Sequence, residues 1–471
     1  MTPSTTGRTE HDMLGTVVVP GDVYYGVHTV RALANFPISG ETLALRPHLV
    51  DALAAVKQAA ATANMRVGAL DDSVGRAIAG ACAEIRSGRL HDQFVVDLIQ
   101  GGAGTSTNMN ANEVIANRAC ELLGRPRGDY ATVHPLDDVN LGQSTNDVYP
   151  TTVKLALDAH VRELLAALAR LRTAFQDKAV EFAEVLKMGR TQLQDAVPMT
   201  LGQELGAFAV TLGEDEARLS EARLLLHELN LGGTAIGTGL NTRPGYREAA
   251  LDELRVLTGI PTLVSATDLV EATQDVGVFV QLSGVLKRTA VKVSKICNDL
   301  RLLSSGPQAG LGEIELPARQ AGSSIMPGKV NPVVPETVNQ IAFEIIGNDV
   351  TVTLAAEGGQ LQLNPFEPII ARALSAGLAH LTAGLTVLVE HCVSGIRANR
   401  DHLAALVAGS TGLVTALSPA LGYETACAIA TEAHRAGRPA LELVRERTSL
   451  TEDQLAALLR PDVLTGRRTM T

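Results

Sequence analysis

The segment "GSSIMPGKVNP", residues 322–332, combines hydroxyl, amide and ammonium groups with two glycines and two prolines. It follows neither a helical nor a strand period, although segments with apolar periodicity lie on both sides of it. Hydroxyls, amides and a lysine are donors that bind carboxylates. We therefore expect a flexible polar loop between two rigid elements.

Three other segments have the same character: "GGAGTSTNMNANE" (101–113), "GQSTND" (142–147) and "GRTQLQDA" (189–196). Each is rich in Ser, Thr, Asn or Gln and lies at the edge of a predicted helix. Any one of them is explained by helix capping, since these residues are common N-caps. Four such segments, low in charge and with helix N-termini beside them, favour a binding site for a carboxylate.

Four acidic residues lie near these segments, namely Glu113, Asp147, Asp195 and Glu336. We expect each to be a solvated or capping carboxylate, with Glu336 close enough in sequence to Lys329 to support it. The glycine-rich "GGTAIGTG" (232–239) follows a helix and lies in no βαβ unit, so it is not a dinucleotide-binding segment. The histidines form no HxxxH or HExxH pair, and no Cys/His ligand spacing occurs, so no metal site is predicted.

The composition limits the class of protein. Of the 471 residues, 46% are hydrophobic, 3% are aromatic and none is Trp, which favours closely packed helices. The formal charge of −11, with no basic cluster, argues against nucleic acid or an anionic membrane as a partner.

The five cysteines form no CxxC pair and are expected to be free thiols. The sequence contains neither an apolar signal segment nor a run of about 18 apolar residues, so we expect a cytoplasmic protein without a membrane span.

Several long helices are predicted from apolar periodicity. The first runs from Pro150 to Met188, roughly 55 Å, and ends at Gly189. Others begin near Thr200, run from Asp268 to Leu303, begin near Pro332, and run from Pro368 to Ser394. The sequence thus predicts a mainly all-α protein with a central helical bundle, whose apolar surface favours an oligomer.

The punctuation of the pattern predicts three domains. Residues 1–142 and 400–471 have shorter elements and form an N-terminal domain and a small C-terminal helical domain. Residues 143–399 form the central helical bundle and contain the 322–332 loop.

The loop and the three polar segments resemble those of the fumarase/aspartase superfamily, whose members eliminate across a Cα–Cβ bond to release fumarate. The resemblance extends from "DMLGTVVVPGDVYYGVHT" (12–29) to "GLVTALSPALGYETA" (412–426). It implies a three-domain fold and a homotetramer with a twenty-helix core, in which three subunits share each active site. Residues 333–368, "GRTQLQDA" and "STNDVYPT" (144–151) resemble the aspartase branch, which implies elimination of ammonia from L-aspartate.

The resemblance also implies roles for individual residues. Ser323 is the general base, working as an oxyanion stabilised by backbone N–H groups and Lys329. The substrate contacts are Thr105, Ser144, Thr145 and Ser324 for the β-carboxylate, Lys329 and Asn331 for the α-carboxylate, and Asn146 and Thr191 for the amino group, with Gln192 nearby. No organic cofactor is implied, and activation by a divalent cation such as Mg²⁺ is compatible with the family.

The sequence departs from the family pattern at two places. In "HPLDD" (134–138), Leu136 replaces a polar residue, which argues against a second carboxylate site there. In "NLGQ" (140–143), Leu141 and Gly142 replace a Lys-Ser or Lys-Cys pair, which bears on subunit contacts or substrate entry.

Three alternatives remain open. A class II fumarase would use the same fold, although Gln192 and Glu367 argue against it. A catalytically silent structural homologue is disfavoured by the intact set of polar residues. A lyase acting on another amine or on a substituted aspartate is a further alternative.

Overall fold

The computed structural model describes residues 7–465. The α-helices of this part are α1 (Val27–Asn35), α2 (Pro47–Arg66), α3 (Asp72–Arg86), α4 (Thr105–Leu122), α5 (Thr145–Glu181), α6 (Leu201–Leu225), α7 (Tyr246–Thr258), α8 (Leu269–Gln274), α9 (Gly277–Leu303), α10 (Val333–Glu357), α11 (Glu367–His391), α12 (Arg400–Gly409), α13 (Gly412–Leu421), α14 (Tyr423–Ala436), α15 (Ala440–Arg447), α16 (Glu452–Leu458) and α17 (Pro461–Leu464). Shorter turns are the 3₁₀ helices Leu43–Leu45, His91–Gln93 and Val393–Gly395 and the π-helix Pro135–Val139. The prediction of a mainly all-α protein is confirmed, since 63% of the protein is helical.

The strands form small two-stranded sheets. They are β1 (Arg8–Asp12), β2 (Gly15–Val19), β3 (Leu186–Thr191), β4 (Gln194–Thr200), β5 (Glu228–Leu229), β6 (Val264–Ser265), β7 (Ile314–Glu315) and β8 (Arg397–Ala398). The pairs β1–β2, β3–β4 and β7–β8 are antiparallel, and β5–β6 is parallel.

The chain divides into two compact units, each made of three segments. Unit 1 contains Met1–Leu165, Ala217–Arg288 and Glu344–His380, and unit 2 contains Ala166–Glu216, Thr289–Phe343 and Leu381–Thr471. The predicted domain boundaries near Gly142 and Arg400 stay predictions. The first six residues of the predicted N-terminal domain and the last six of the C-terminal domain lie outside the described residues.

Helix α5 confirms the first predicted apolar stripe. Its members are all buried: Val153, Leu157, Leu164, Leu168, Leu171 and Phe175. The helix nevertheless begins at Thr145, five residues before the predicted start at Pro150. Pro150 has no N–H to donate to the carbonyl of Asn146, and that carbonyl instead accepts a hydrogen bond from Asn230 Nδ2 at 3.0 Å. A side chain therefore satisfies the acceptor that the proline leaves free.

The predicted C-terminal end of this helix is wrong. Helix α5 ends at Glu181, and after a short turn residues Leu186–Thr191 form strand β3. Val185 and Met188 are buried and continue a helix-like spacing of three residues, which explains the error. Gly189 does not end a helix but lies at a register shift between Met188 and Arg190, where β3 pairs with β4.

The predicted helix from Asp268 to Leu303 is broken into α8 and α9. Asp275 has an extended backbone (φ −81°, ψ 130°), and its carboxylate accepts from the N–H of Gly277 at 3.0 Å. This carboxylate satisfies a donor at the start of α9, as an N-cap does, so the chain restarts rather than continues. The other predicted long helices correspond to α6, α10 and α11, with ends displaced by a few residues.

Helix α11 is the most apolar of the long helices. With the turn that follows it, Glu367–Gly395 is long and apolar enough to cross a membrane (mean hydropathy 1.4), but 56% of its apolar stretch is buried inside the protein. The core helix of a soluble protein has the same properties, so this observation is weak evidence for a span.

All five cysteines are free thiols, as predicted. Four of them are buried, and Cys427 is exposed.

Candidate active site

The 322–332 loop is closed at its neck by backbone and side-chain hydrogen bonds. The N–H of Gly322 donates to the carbonyl of Lys329 at 2.7 Å, and Asn331 Nδ2 donates to the carbonyl of Gly322 at 2.8 Å. A Cβ on Gly322 would lie 2.7 Å from that lysine carbonyl and 2.8 Å from the nitrogen of Asn331. Only glycine therefore lets the two strands of the loop approach this closely.

Ser323 lies just inside this neck and is half-buried. Its Oγ accepts hydrogen bonds from the N–H groups of Ile325 at 3.2 Å and Met326 at 3.0 Å. Two backbone donors aimed at one hydroxyl oxygen favour its deprotonated form. Ser324 and the Lys329 side chain are exposed on the same loop.

Glu336 lies in the first turn of α10, directly after the loop. Its carboxylate pairs with the Arg301 guanidinium at 3.9 Å. The predicted partner was Lys329, so the contact that the structure gives Glu336 is with a different cation.

Thr191 and Gln192 lie at the tip of the β3–β4 hairpin. Thr191 pairs with Gln194, and the two residues between them, Gln192 and Leu193, have φ of 53° and 62°. This is the left-handed geometry of a type I′ turn, which usually takes Asn-Gly. The turn therefore holds two ordinary side chains in a strained backbone.

The remaining predicted residues lie in unit 1, at the first turns of α4 and α5. Thr105 begins α4, and its hydroxyl donates to the carbonyl of Gly102 at 2.7 Å. The preceding Gly104 has φ of 88°, and a Cβ there would lie 2.4 Å from the ring of Tyr149. This glycine lets the start of α4 pack directly against α5.

The start of α5 is fixed by reciprocal capping. Ser144 Oγ accepts from the N–H of Asn146 at 3.2 Å, and Asp147 Oδ1 accepts from the N–H of Ser144 at 2.9 Å. Asp147 Oδ2 also accepts from the N–H groups of Gly232 at 2.9 Å and Thr234 at 3.0 Å. Burial raises the pKa of Asp147 to about 6, against these backbone donors. The glycine-rich 232–239 segment is thus an anchor for the start of α5.

A polar cluster supports these two helix starts, and we call it the buried polar cluster. It is made of the buried Lys57 and Asn108 and the half-buried Asn140, Gln143 and Thr145. Lys57 Nζ donates to Asn140 Oδ1 and Gln143 Oε1, each at 2.9 Å. Asn108 Nδ2 donates to Asn140 Oδ1 and Thr145 Oγ1, each at 3.1 Å. Thr145, a predicted substrate contact, is thereby bonded to Asn108 of α4 and connected through Asn140 to Lys57 of α2.

Lys57 was not identified from the sequence. It is fully buried, and burial lowers its pKa from 10.5 to about 7, although the charge of Asp147 opposes this shift. The only signal was a single lysine in the alanine-rich "LAAVKQAA" of α2. Nothing in that pattern pointed to Asn140 and Gln143.

We expected solvated or capping carboxylates at Glu113 and Asp195: Glu113 caps a helix but is not solvated, and Asp195 is exposed. Glu113 is buried, and its oxygens accept from the N–H groups of Gly26, His28 and Thr29 at the start of α1. Burial raises the pKa of Glu113 to about 7. Asp195 accepts from Ser410 Oγ at 2.8 Å.

The structure therefore arranges the predicted residues in three sets. Thr105, Ser144, Thr145 and Asn146 lie at neighbouring helix starts in unit 1. Thr191 and Gln192 share a hairpin turn in unit 2, and Ser323, Ser324, Lys329 and Asn331 share the 322–332 loop of the same unit. Each set presents neutral donors or a lysine, the groups that bind carboxylates.

Two family models match the chain. A lyase family model matches residues 15–347, and a model of the fumarase C C-terminus matches residues 413–466. The chain is 58% identical over 469 residues to an aspartate ammonia-lyase of Pseudomonas aeruginosa, covering 99% of both chains. It is 52% identical over 449 residues to an aspartate ammonia-lyase of Escherichia coli, covering 95% of this chain and 94% of the relative.

Two solved structures are also similar to this chain. A fumarate lyase (delta crystallin) of Brucella melitensis bound to cobalt has a TM-score of 0.94 and 54% identity, covering 98% of this chain and all of that one. A class II fumarase of Schistosoma mansoni has a TM-score of 0.91 and 35% identity, with the same coverage. The chain belongs to the lyase family of the fumarase/aspartase superfamily and is a carbon–nitrogen lyase.

Proposed function

We propose that this chain is an aspartate ammonia-lyase, which reversibly eliminates ammonia from L-aspartate to give fumarate. The aspartate ammonia-lyases compared above support the substrate, since they are 52–58% identical over nearly the whole chain. The observation that supports the chemistry best is Ser323, whose Oγ accepts two backbone hydrogen bonds inside a closed polar loop.

The difficult step is removal of a proton from Cβ of aspartate, because that carbon is barely acidic. As the proton leaves, the electron pair spreads onto the adjacent β-carboxylate, which becomes an aci-carboxylate carrying nearly two negative charges. Fixed donors aimed at these oxygens lower the barrier. The pair then forms the C=C bond, the Cα–N bond breaks with its electrons on nitrogen, and ammonia leaves from the opposite face.

Ser323 acts as the base in its alkoxide form, which accepts the proton from Cβ of the substrate. A serine hydroxyl has a far higher pKa than ordinary bases, so its anion must be stabilised. The N–H groups of Ile325 and Met326 supply two such donors, and the Lys329 ammonium supplies a positive charge on the same loop. Ile325 and Met326 were not singled out from the sequence, because their contribution is through the backbone.

The substrate is held by the sets described above. Thr105, Ser144, Thr145 and Ser324 donate to the β-carboxylate, and Lys329 and Asn331 bind the α-carboxylate. Asn146 and Thr191 orient the amino group, with Gln192 beside them. Asn331 already donates one amide hydrogen to Gly322, so loop closure and substrate binding share this side chain.

The assembly and location are part of the same proposal. We infer a cytoplasmic homotetramer with a twenty-helix core, in which three subunits contribute to each active site and L-aspartate or fumarate is the small-molecule partner. No organic cofactor takes part in the steps above.

Activation by a divalent cation is a separate proposal, supported by the cobalt bound to the Brucella melitensis structure. Mg²⁺, the cation expected from the family resemblance, prefers oxygen ligands. Among residues 7–465, the one group of three His, Cys, Asp or Glu side chains close enough to share an ion is His48, His160 and Glu163. Two imidazoles do not suit Mg²⁺, and no step of the reaction is assigned to it.

The test is fumarate absorbance after addition of L-aspartate, with L-malate in a parallel cuvette and Ser323→Ala beside the native protein. Fumarate from aspartate alone, lost in the variant, is the expected result. Fumarate from malate would instead identify a class II fumarase. Silence with both substrates would identify a structural homologue, and activity retained in Ser323→Ala would remove this residue as the base.

A further inference from the structure

Two helices of unit 1 bring together a histidine–histidine–glutamate cluster. His48 lies in the first turn of α2, while His160 and Glu163 are three residues apart on α5 and so share a face of that helix. His48 Nε2 lies 3.0 Å from Glu163 Oε1, and the two imidazole rings are 4.5 Å apart, edge to face. One ligand atom from each residue can be chosen so that all lie within 4.8 Å of one another.

His160 is the unusual member of this cluster. It is only 6% exposed, and both of its ring nitrogens are buried without a hydrogen-bond partner among the described residues. A buried polar group without a partner is costly, so such a group calls for an explanation.

His227 shows how the same fold satisfies a buried histidine. It is 2% exposed, with Nε2 at 2.8 Å from Asp158 Oδ1 and Nδ1 at 2.8 Å from Thr262 Oγ1. Both nitrogens of His227 thus have partners supplied by the protein. Those of His160 have none, although the nearest titratable groups are another imidazole and a carboxylate.

We propose that His48, His160 and Glu163 form a binding site for a divalent transition-metal ion such as Zn²⁺, Co²⁺ or Ni²⁺, with water at the open position. Two imidazoles and one carboxylate are a ligand set that these ions accept. The ion would take up a nitrogen of His160 that now lacks a partner. It would also replace the hydrogen bond between His48 and Glu163, and a neutral His48 bound through Nε2 would carry its ring hydrogen on Nδ1.

The geometry requires only side-chain adjustment. Ligand atoms about 2.1 Å from a tetrahedral zinc are roughly 3.4 Å apart, so separations of up to 4.8 Å in the cluster must shrink by at most about 1.4 Å. The side chains of His48 and Glu163 are 30% and 52% exposed, which lets them rotate and gives the ion a path from solvent.

The surrounding charges are compatible with a cation. The charge of Arg46 also acts on His160, but the Arg46 guanidinium is paired with Glu41 at 2.8 Å.

The site cross-links α2 to α5 at a distance from the proposed substrate contacts. His160 follows Thr145 by about four helical turns, roughly 22 Å along α5. The expected consequence of binding is thus a more stable unit 1, not a change in the chemical step. This inference does not rest on the proposed reaction.

The test is a titration of the metal-stripped, full-length protein with Co²⁺, followed by visible absorption. We expect one ion per chain, visible bands of a four- or five-coordinate site, and a higher thermal midpoint. His48→Gln and Glu163→Gln should each weaken binding about tenfold or more, and both lie on the surface, so folding is preserved. Mg²⁺ should not compete.

His380→Gln is the matched control, because His380 also pairs with a glutamate, Glu344 at 2.8 Å, but without a second histidine. It should leave Co²⁺ binding unchanged. The proposal is overturned if the native protein shows no saturable binding, if His48→Gln and Glu163→Gln bind as tightly as the native protein, or if Mg²⁺ competes equally.

Discussion

Two of the three regions with proposed substrate contacts are built on opposite principles. In the buried polar cluster, Lys57 is fully enclosed and Asn108 is 2% exposed, and each donates two hydrogen bonds to fixed acceptors. In the 322–332 loop, Ile325 is 82% exposed and Met326 is 50% exposed. The loop is held mainly at its neck, where Gly322 meets Lys329 and Asn331.

This difference separates two tasks of the proposed reaction. Donors for a developing charge are most effective when they need no reorganisation, which the hydrogen bonds within the buried polar cluster provide. A base that must admit a substrate and then exclude water is better placed on a segment that opens at low cost. The cluster therefore contributes to stability and geometry together, whereas the loop can be altered with little effect on stability.

The largest effect should come from breaking the neck of the loop. In Gly322→Ala the new Cβ would lie 2.7 Å from the carbonyl of Lys329, so the neck must open and Ser323 must move. A displacement of about 1 Å at a reacting group costs about 100-fold in rate. We expect that loss in kcat for L-aspartate, measured by fumarate absorbance, with a thermal midpoint close to that of the native protein.

Gly328→Ala is the control for this prediction. Gly328 has φ of 77°, but a Cβ added there would have no atom within 4 Å, so alanine adds backbone strain without a clash. We expect a loss below tenfold. Equal losses in the two variants would mean that loop flexibility, not the closed neck, positions Ser323.

A substitution at the buried start of α5 should instead reduce the stability of the protein. In Asp147→Asn one carboxylate oxygen becomes an amide donor, which faces either the N–H of Ser144 or the N–H groups of Gly232 and Thr234. Leaving buried donors unsatisfied costs about 1–3 kcal/mol each. We expect the free energy of unfolding, from denaturant titration, to fall by about 1–3 kcal/mol. The exposed cap Asp71→Asn should cost clearly less, because the remaining side-chain oxygen can still accept from the N–H groups of Ser73 and Val74. Similar losses in both would contradict the importance of burial.

The pH dependence of stability tests Lys57 directly. Its pKa is about 7 in the folded protein and 10.5 as an unperturbed lysine. Between these values the unfolded chain binds a proton that the folded protein lacks, so stability rises with pH across this window, by at most about 1.4 kcal/mol per pH unit. We expect Lys57→Met to remove that slope, measured as the free energy of unfolding from pH 7 to 10.5. The exposed Lys295→Met should keep the native slope, and an unchanged slope in Lys57→Met would show that the lysine is not buried as a neutral amine.

The sequence predicted features that depend on residues close together in the chain, and it missed those that depend on distant contacts. The apolar stripes of α5 and α6 were readable because Leu157, Leu164 and their neighbours recur at helical spacing. The loop was readable because glycine, proline and serine interrupt that spacing. Strand β3 was missed because Val185 and Met188 happen to continue the helical pattern, and only pairing with β4 decides otherwise.

The types of the site residues were predicted, but their grouping was not. Nothing in the pattern around Lys57 shows that Asn140 and Gln143 lie beside it, since their partners come from distant parts of the chain. The same holds for His48, which meets His160 and Glu163 only after α2 and α5 have packed. Ligand-spacing rules apply to residues close in sequence, so they could not reveal this cluster.

The smallest predicted effect concerns the β3–β4 hairpin turn. Its predicted substrate contacts belong neither to the buried polar cluster nor to the 322–332 loop. Leu193 is 70% exposed and has φ of 62°, a conformation that costs a non-glycine residue about 1–2 kcal/mol. Leu193→Gly relieves that strain and loses about 0.5–1 kcal/mol to the greater freedom of glycine in the unfolded chain. We expect a net gain of about 0.5 kcal/mol in the free energy of unfolding, by denaturant titration, and none in Leu193→Ala, which keeps the strain. Because Thr191 and Gln192 keep their backbone geometry, kcat should be unchanged. A gain in stability with a loss of activity would show instead that the reaction requires the strained turn. The turn would then hold its donors in a fixed geometry, as the buried polar cluster does.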